Sequence, residues 1–447
     1  MKNMHVVIIG NGISGVTVAR HLRKNSDCKI TLVSAESEFF FSRTALMYVY
    51  MGHMKFENLQ PYENGFWSKN NINLVNDRVI TINYDGKLII LENGDAFHYD
   101  KLVLAVGSKP NKFGWPGENL KAVQGLYHKQ DLESMEGYSS NTNRAVIVGG
   151  GLIGIEMAEM FLSRGIKVTM LVRESSFWNS VLPLKESQLV TKHILEHHVD
   201  LRLSVELKEI LSDEKGRARA VLISNGEEIS CEFVGLTTGV TPNVDFLKES
   251  ELELDRGVMI NQYLETNIDD VYALGDCAQF RESIGKRRPI EQVWYTGKIM
   301  GEVLATTILG ERKKYAPGHW FNSAKFFDIE YQTYGWVGNS LGVGEDEYYW
   351  EDKGGKICIH FVFDKQTHEL IGVNSFGIRL RHELFDRWLT DRRTIEYVLK
   401  RLRDANFDPE FYKQYELEIV DGFNFKFGTS IHIKHRSWRR IFNLSRS

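Results

Sequence analysis

Cysteine is scarce in this chain. Four thiols, Cys28, Cys231, Cys277 and Cys358, are spread over 447 residues. That number and spacing exclude a disulfide scaffold and a cysteine-based zinc site, and no metal is expected. Long apolar runs are missing too: none approaches the roughly 18–20 residues that a membrane-spanning helix needs. Nor does charge of one sign dominate. Lys and Arg number 55 against 59 Asp and Glu, a formal net charge of −4, which leaves no whole-chain case for nucleic-acid binding. What is present is ordinary globular composition, 43% hydrophobic and 26% charged, and this argues against disorder. At roughly 100–200 residues per domain, the length suggests about three domains. Met1-Lys2-Asn3-Met4-His5 leads straight into Val6-Val7-Ile8-Ile9, so no signal peptide is expected, and a reducing, cytoplasmic setting is.

Val6 to Ile9 is a continuous β-branched run, the pattern of a parallel strand buried on both faces. Gly10-Asn11-Gly12-Ile13-Ser14-Gly15 follows, then a helical stretch through Arg23 and a second apolar strand from Ile30 to Val33. The same grammar returns with Ala145 to Val148, then Gly149-Gly150-Gly151-Leu152-Ile153-Gly154, a helix from about Ile155 to Arg164, and a strand from Lys167 to Val172. Two βαβ units in one chain indicate two nucleotide-binding lobes. Val79 to Asn83 and Lys87 to Leu91 read as sheet between them, and Leu102 to Ala105 as another buried strand. Phe233 to Thr237 and Val271 to Leu274 are strands closed by glycine. From about residue 316 aromatics crowd the chain, Ile357 to Phe363 alternates like a half-buried strand, and helical patterns cover Arg379 to Leu389 and Thr394 to Asp404. This stretch reads as an α+β domain.

A G-x-G-x-x-G loop after a buried strand lets the backbone approach a pyrophosphate, which then sits on the free N–H groups of the helix N-terminus. Gly10, Gly12 and Gly15 are placed this way, with Ile13 and Ser14 opening the helix. Glu36, just past the second strand, is placed to accept hydrogen bonds from both ribose hydroxyls of an adenosine. Gly149, Gly151 and Gly154 have the same context, with Leu152 and Ile153 opening their helix, but Val172 takes the usual acidic position. Arg173 next to it would pair with a 2′-phosphate and Glu174 would repel one, so NADPH and NADH both stay open.

In these motifs the sequence resembles the FAD-dependent pyridine nucleotide-disulfide oxidoreductase superfamily, over about residues 5–312. The implied fold is α/β, with two Rossmann-like dinucleotide-binding domains, the NAD(P) domain inserted in the FAD domain, plus a C-terminal α+β domain. The implied boundaries are 1–111 and 241–315 for the two parts of the FAD-binding domain, 112–240 for the NAD(P)H-binding domain, and 316–447 for the C-terminal domain with its basic tail. By the same resemblance Ala105-Val106-Gly107 and Thr237-Thr238-Gly239 are the two linker motifs, and Val271 to Asp276 is the late FAD motif, in which Gly275 precedes an Asp276 that holds the ribityl chain. Val79 joins this cofactor-binding set.

Phe39 to Tyr48, where disulfide reductases of this superfamily carry their cysteines, has none, so a thiol relay is not expected. Arg43 resembles instead the arginine beside the pyrophosphate and flavin in the ferredoxin reductase and apoptosis-inducing-factor-like branch. Tyr48 stands where that branch has a flavin-approaching Lys, and Glu156 matches the glutamate that pairs with it near the nicotinamide. A helix N-terminal carboxylate is the plainer reading of Glu156. Trp294, seven residues before Gly301, matches a tryptophan beside nicotinamide or flavin, with burial in the core as the alternative.

The implied activity is FAD-dependent NAD(P)H oxidoreduction, with hydride passing from NAD(P)H to flavin and electrons passing on to a redox protein such as ferredoxin or rubredoxin. Two rivals remain: a membrane-peripheral NADH:quinone reductase and a redox-responsive binding protein. The tail, with Arg436, Trp438, Arg439, Arg440, Ile441 and Phe442, suits either contact with a membrane surface or an acidic carrier, or a packed strand and helix with solvated arginines. A homodimer is compatible with the reading, and no nucleic-acid partner is expected.

Overall fold

The structure is a computed structural model and describes residues 4–411 and 413–434. The tail positions singled out above, from Arg436 onward, lie outside the described residues. Among the described residues no helix is long and apolar enough to cross a membrane. The chain divides into two compact units, one of residues 1–173 and 199–317, the other of residues 174–198 and 318–447.

In the first unit β1 (His5–Ile9) leads through the first glycine turn to α1 (Ile13–Asn25) and β2 (Lys29–Val33). The short helix α2 (Leu46–Tyr50), β3 (Ile72–Val75) and β4 (Lys101–Leu104) follow. Parallel pairing gives the order Val271–Ala273, β4, β1, β2, β3. The apolar run Val6 to Ile9 is buried because helices and loops cover both sheet faces.

The second lobe of this unit repeats the plan. Its elements are β5 (Val123–Gln124), α3 (Lys129–Ser139), β6 (Arg144–Val148), α4 (Leu152–Ser163) and β7 (Lys167–Val172). After α5 (Leu184–Glu196) come β8 (Asp200–Leu203) and β9 (Phe233–Leu236). The parallel order is β8, β7, β6, β9, β5. Between the lobes the chain crosses twice, and the crossings pair antiparallel, Ser108–Pro110 against Val240–Pro242. The returning chain forms α6 (Trp294–Ile308), which lies along α1 because Gly297 and Gly301 bring it against Ser14 and Thr17.

The second unit is built on five antiparallel strands, β10 (Phe321–Phe326), β11 (Ile329–Gly335), β12 (Glu345–Glu351), β13 (Cys358–Asp364) and β14 (Leu370–Phe376). Their order is β10, β11, β14, β13, β12. Helices α7 (His382–Thr390), α8 (Ile395–Lys400) and α9 (Glu416–Phe427) close one face around Phe361, Phe385, Trp388 and Phe423. Contrary to the half-buried strand that the alternation from Ile357 to Phe363 suggests, six of the seven residues of β13, Cys358 to Phe363, are buried. Ile359, Phe361 and Phe363 enter the core with these helices. His360, on the opposite face, meets Glu186 of α5 at 2.7 Å. The helical pattern Thr394 to Asp404 also divides, into α8 and a last turn at Leu402–Ala405.

Candidate functional site

Each glycine turn is shaped by what lies under it. Gly10 has φ +110, and a Cβ there would stand 2.1 Å from the Ala105 carbonyl oxygen. A Cβ on Gly15 would stand 2.0 Å from the Gly10 carbonyl oxygen, so the strand, turn and helix close only around glycine. Gly12 differs: a Cβ there would meet nothing within 4 Å. It is the N-cap of α1 and no side chain caps the helix, so the first-turn N–H groups are free for an acceptor from outside.

The second turn has the same construction. Gly149, at φ +124, lies against the Thr237 carbonyl, and Gly154 against Gly149 and the Thr237 hydroxyl. Gly151, the uncapped N-cap of α4, faces open space. Ala105 and Thr237 begin the two linker motifs, so the linkers form the floors beneath the turns. Asn111 fixes the junction, its Nδ2 donating to the Thr238 carbonyl and its main-chain N–H to that of Gly239. Beside this junction a cleft of about 780 Å³ is lined by Lys109, Asn111, His128, Asp131, Lys248 and Arg256.

Glu36, Arg43 and Asp276 are drawn together by a residue that the sequence did not disclose. Arg43 donates two hydrogen bonds to the Glu36 carboxylate, at 2.9 and 2.6 Å, and the Lys129 main-chain N–H adds a third at 2.9 Å. Burial would raise the Glu36 pKa, but His128, Arg43 and the Lys129 amide outweigh it and hold it at about 2. Arg43 also donates to the Tyr127 carbonyl and lies 4.5 Å over the Tyr127 ring. The Tyr127 hydroxyl donates to Asp276 at 3.0 Å and accepts from the Ser108 main-chain N–H at 3.0 Å. Burial pushes the Asp276 carboxyl above the usual range, and the Tyr127 hydroxyl and Arg43 pull it partly back. Tyr127 lies far along the chain from Arg43 and in no motif; its only local hint is the aromatic pair it makes with His128.

Glu156 sits half-buried in α4. Burial, with Glu159 second, raises it to about 7. The helix α2, which carries Tyr48, packs against α4 through Tyr50 and Phe161 at 6.0 Å and through Arg164, which donates to the Tyr50 carbonyl at 3.1 Å. Tyr48 itself stacks on His53 at 6.0 Å. Trp294 begins α6, half-buried, one turn before the Gly297 that lies against Ser14. Arg173 is exposed just past β7, where Val172 packs against Gly150 of the second turn. Val79 is buried in the apolar core of the first lobe, paired with Leu91. All four cysteines are free and buried. Cys277, next to Asp276, is pushed up to about 11 by burial, so its thiol stays protonated.

The uncapped helix above Gly12, the open space over it, an ionised carboxylate closing β2 and a buried carboxyl at Asp276 form a donor and acceptor set that fits FAD. The uncapped α4 above Gly151 fits a second dinucleotide. A family model described as pyridine nucleotide-disulphide oxidoreductase matches residues 4–297. An NADH-rubredoxin oxidoreductase of Clostridium acetobutylicum is 27% identical over 323 residues, which cover 71% of this chain and 77% of that protein. A nitrite reductase (NAD(P)H) of Bacillus subtilis is 27% identical over 284 residues, 63% of this chain but only 35% of the longer relative. The crystal structure of a ferredoxin reductase from Rhodopseudomonas palustris superposes with a TM-score of 0.77 at 22% identity, covering 94% of this chain and 99% of that one, which is a likeness of fold. With a family match across both glycine turns and the linkers beneath them, the chain belongs to the pyridine nucleotide-disulphide oxidoreductase family.

Proposed function

We propose that the chain is an FAD-dependent NAD(P)H oxidoreductase that supplies electrons to a small redox protein of the ferredoxin or rubredoxin kind. When bound, FAD supplies the hydride-accepting and electron-releasing chemistry. The observation that carries the reading is the pair of uncapped helix N-termini at Gly12 and Gly151, each floored by its own linker, with every thiol in the described chain buried. In this reading the α1 amides from Ile13 to Gly15 hold the FAD pyrophosphate, Glu36 the adenosine ribose and Asp276 the ribityl chain. Ala105, Val106, Gly107, Gly275 and Val79 line the same cofactor. The α4 amides from Leu152 to Gly154, with Thr238, Gly239 and Arg173, take NAD(P)H. Arg43 is shared between Glu36 and the pyrophosphate, and Glu156 and Trp294 flank the nicotinamide and exclude water there.

The test is anaerobic titration of the purified full-length protein with NADH and NADPH, followed by turnover with ferredoxin, rubredoxin, a quinone and oxygen. The expected result is a flavin absorption band that bleaches with a reduced nicotinamide and faster turnover with an iron-containing carrier protein than with quinone or oxygen. A colourless protein that takes up no FAD would overturn the cofactor assignment, and a preference for quinone would overturn the acceptor.

A further inference from the structure

The second compact unit holds a cluster that the electron-transfer reading does not use. His193 and His197 stand one turn apart on α5, and Asp328 lies in the tight turn between β10 and β11. Phe327 makes that turn at φ +54, and its ring stacks on His197 with centroids 4.2 Å apart. Asp328 Oδ1 then lies 2.6 Å from His193 Nε2 and 3.4 Å from His197 Nε2. One ligand atom from each of the three residues lies within 4.8 Å of the others.

Hydrogen bonding sorts the ring nitrogens. His197 Nδ1 is 2.9 Å from the His193 carbonyl, so it carries the proton and leaves the Nε2 lone pair toward Asp328. His193 is only 1% exposed, yet neither of its ring nitrogens has a hydrogen-bond partner among the described residues. The 2.6 Å approach to Asp328 therefore lies off the line that an N–H bond requires. Its Nδ1 faces Glu196 at 3.9 Å, a carboxylate behind the ring. His193 thus has carboxylates beside it but no aligned hydrogen bond, and a metal ion on Nε2 would satisfy that nitrogen.

We infer that His193, His197 and Asp328 bind a divalent transition-metal ion of the zinc class, with water completing the coordination. Two imidazoles at i and i+4 present their nitrogens on one helix face, and a carboxylate is a suitable third ligand for such an ion. Asp328 is exposed, which gives the ion a route from solvent and room for the water. The ion ties α5 to the β10–β11 turn inside a single unit, so it serves as a staple. His-x-x-x-His is visible in the sequence, but its third ligand comes from a distant turn.

Untagged full-length protein with its flavin bound is stripped with a chelator and titrated with ZnCl2 against a chromophoric zinc chelator. Because His193 is buried, His197→Gln and Asp328→Asn are the working variants. The wild type is expected to take up one equivalent per chain and to unfold at a higher temperature with zinc than without. Each variant is expected to bind about tenfold or more weakly and to lose the thermal shift, at unchanged flavin content. Wild-type protein that fails to compete for zinc would overturn the inference. So would variants that bind as tightly as wild type, which would assign the zinc to other histidines.

Discussion

Glu156 and Glu36 are carboxylates driven in opposite directions by their surroundings. At Glu156 burial and the neighbouring Glu159 raise the pKa from an ordinary 4.5 to about 7. Between these values the folded chain keeps a proton that the unfolded chain releases, so the stability contribution falls as pH rises through 7. Glu156→Gln removes that penalty. Denaturant unfolding of the two proteins is expected to agree near pH 5 and to diverge at pH 8, with the variant more stable by no more than about 3 kcal/mol. A constant gap across this range would place the cause elsewhere than the proton. Glu36 is held at about 2, so its contribution is complete above 4.5 and is lost only as pH falls through 2. Glu36→Gln leaves Arg43 with a neutral partner at every pH. A loss of about 1–3 kcal/mol at pH 7 is expected, together with weakened FAD retention, both readable from thermal melts and flavin absorbance.

The glycine turns separate folding from binding position by position. Gly10 and Gly15 touch backbone oxygen and serve closure of the fold, whereas Gly12 and Gly151 sit at ordinary φ angles, −68 and −117, with open space above them. Gly12→Ala and Gly151→Ala are therefore expected to fold normally and to fill the space meant for phosphate. Gly12→Ala should weaken FAD retention and Gly151→Ala should raise the KM for NAD(P)H, each about tenfold or more. Unfolding of either variant during purification would refute this division. These turns were legible in the sequence because a steric demand at fixed spacing leaves a fixed residue. Both βαβ units were legible for a related reason: strands buried on both faces must be apolar throughout. Tyr127 was not legible, since its contacts with Arg43, Ser108 and Asp276 exist only after both lobes have closed. The division of Thr394 to Asp404 was also hidden, because buried Val398, Leu399 and Leu402 keep helical spacing across the break at Arg401.

At the scale of the whole chain the least legible feature is the excursion of residues 174–198. No helix or strand is assigned from the sequence to residues 174–198, and this segment belongs to the compact unit otherwise formed by residues 318–447. Its Glu186, fully buried, accepts from His360 of β13 at 2.7 Å and from Asn374 of β14 at 2.8 Å, while Glu347 holds the other imidazole nitrogen at 3.0 Å. Burial alone would lower the His360 pKa, but the two carboxylates raise it to about 9. The network's stability is thus complete below the ordinary value of 6.5 and is lost as pH rises through 9. A fragment of residues 318–447 would lack Glu186 and expose the face of β13 that α5 covers. That fragment is expected to show no cooperative unfolding, whereas one in which residues 174–198 are joined ahead of it through a flexible linker should melt cooperatively. The joined fragment should also lose stability between about pH 6.5 and 9, and His360→Gln should flatten that dependence while costing about 3–5 kcal/mol at pH 7, because Glu186 is then buried without its cation. Cooperative melting of residues 318–447 alone would show that α5 is only an ornament on a self-sufficient sheet.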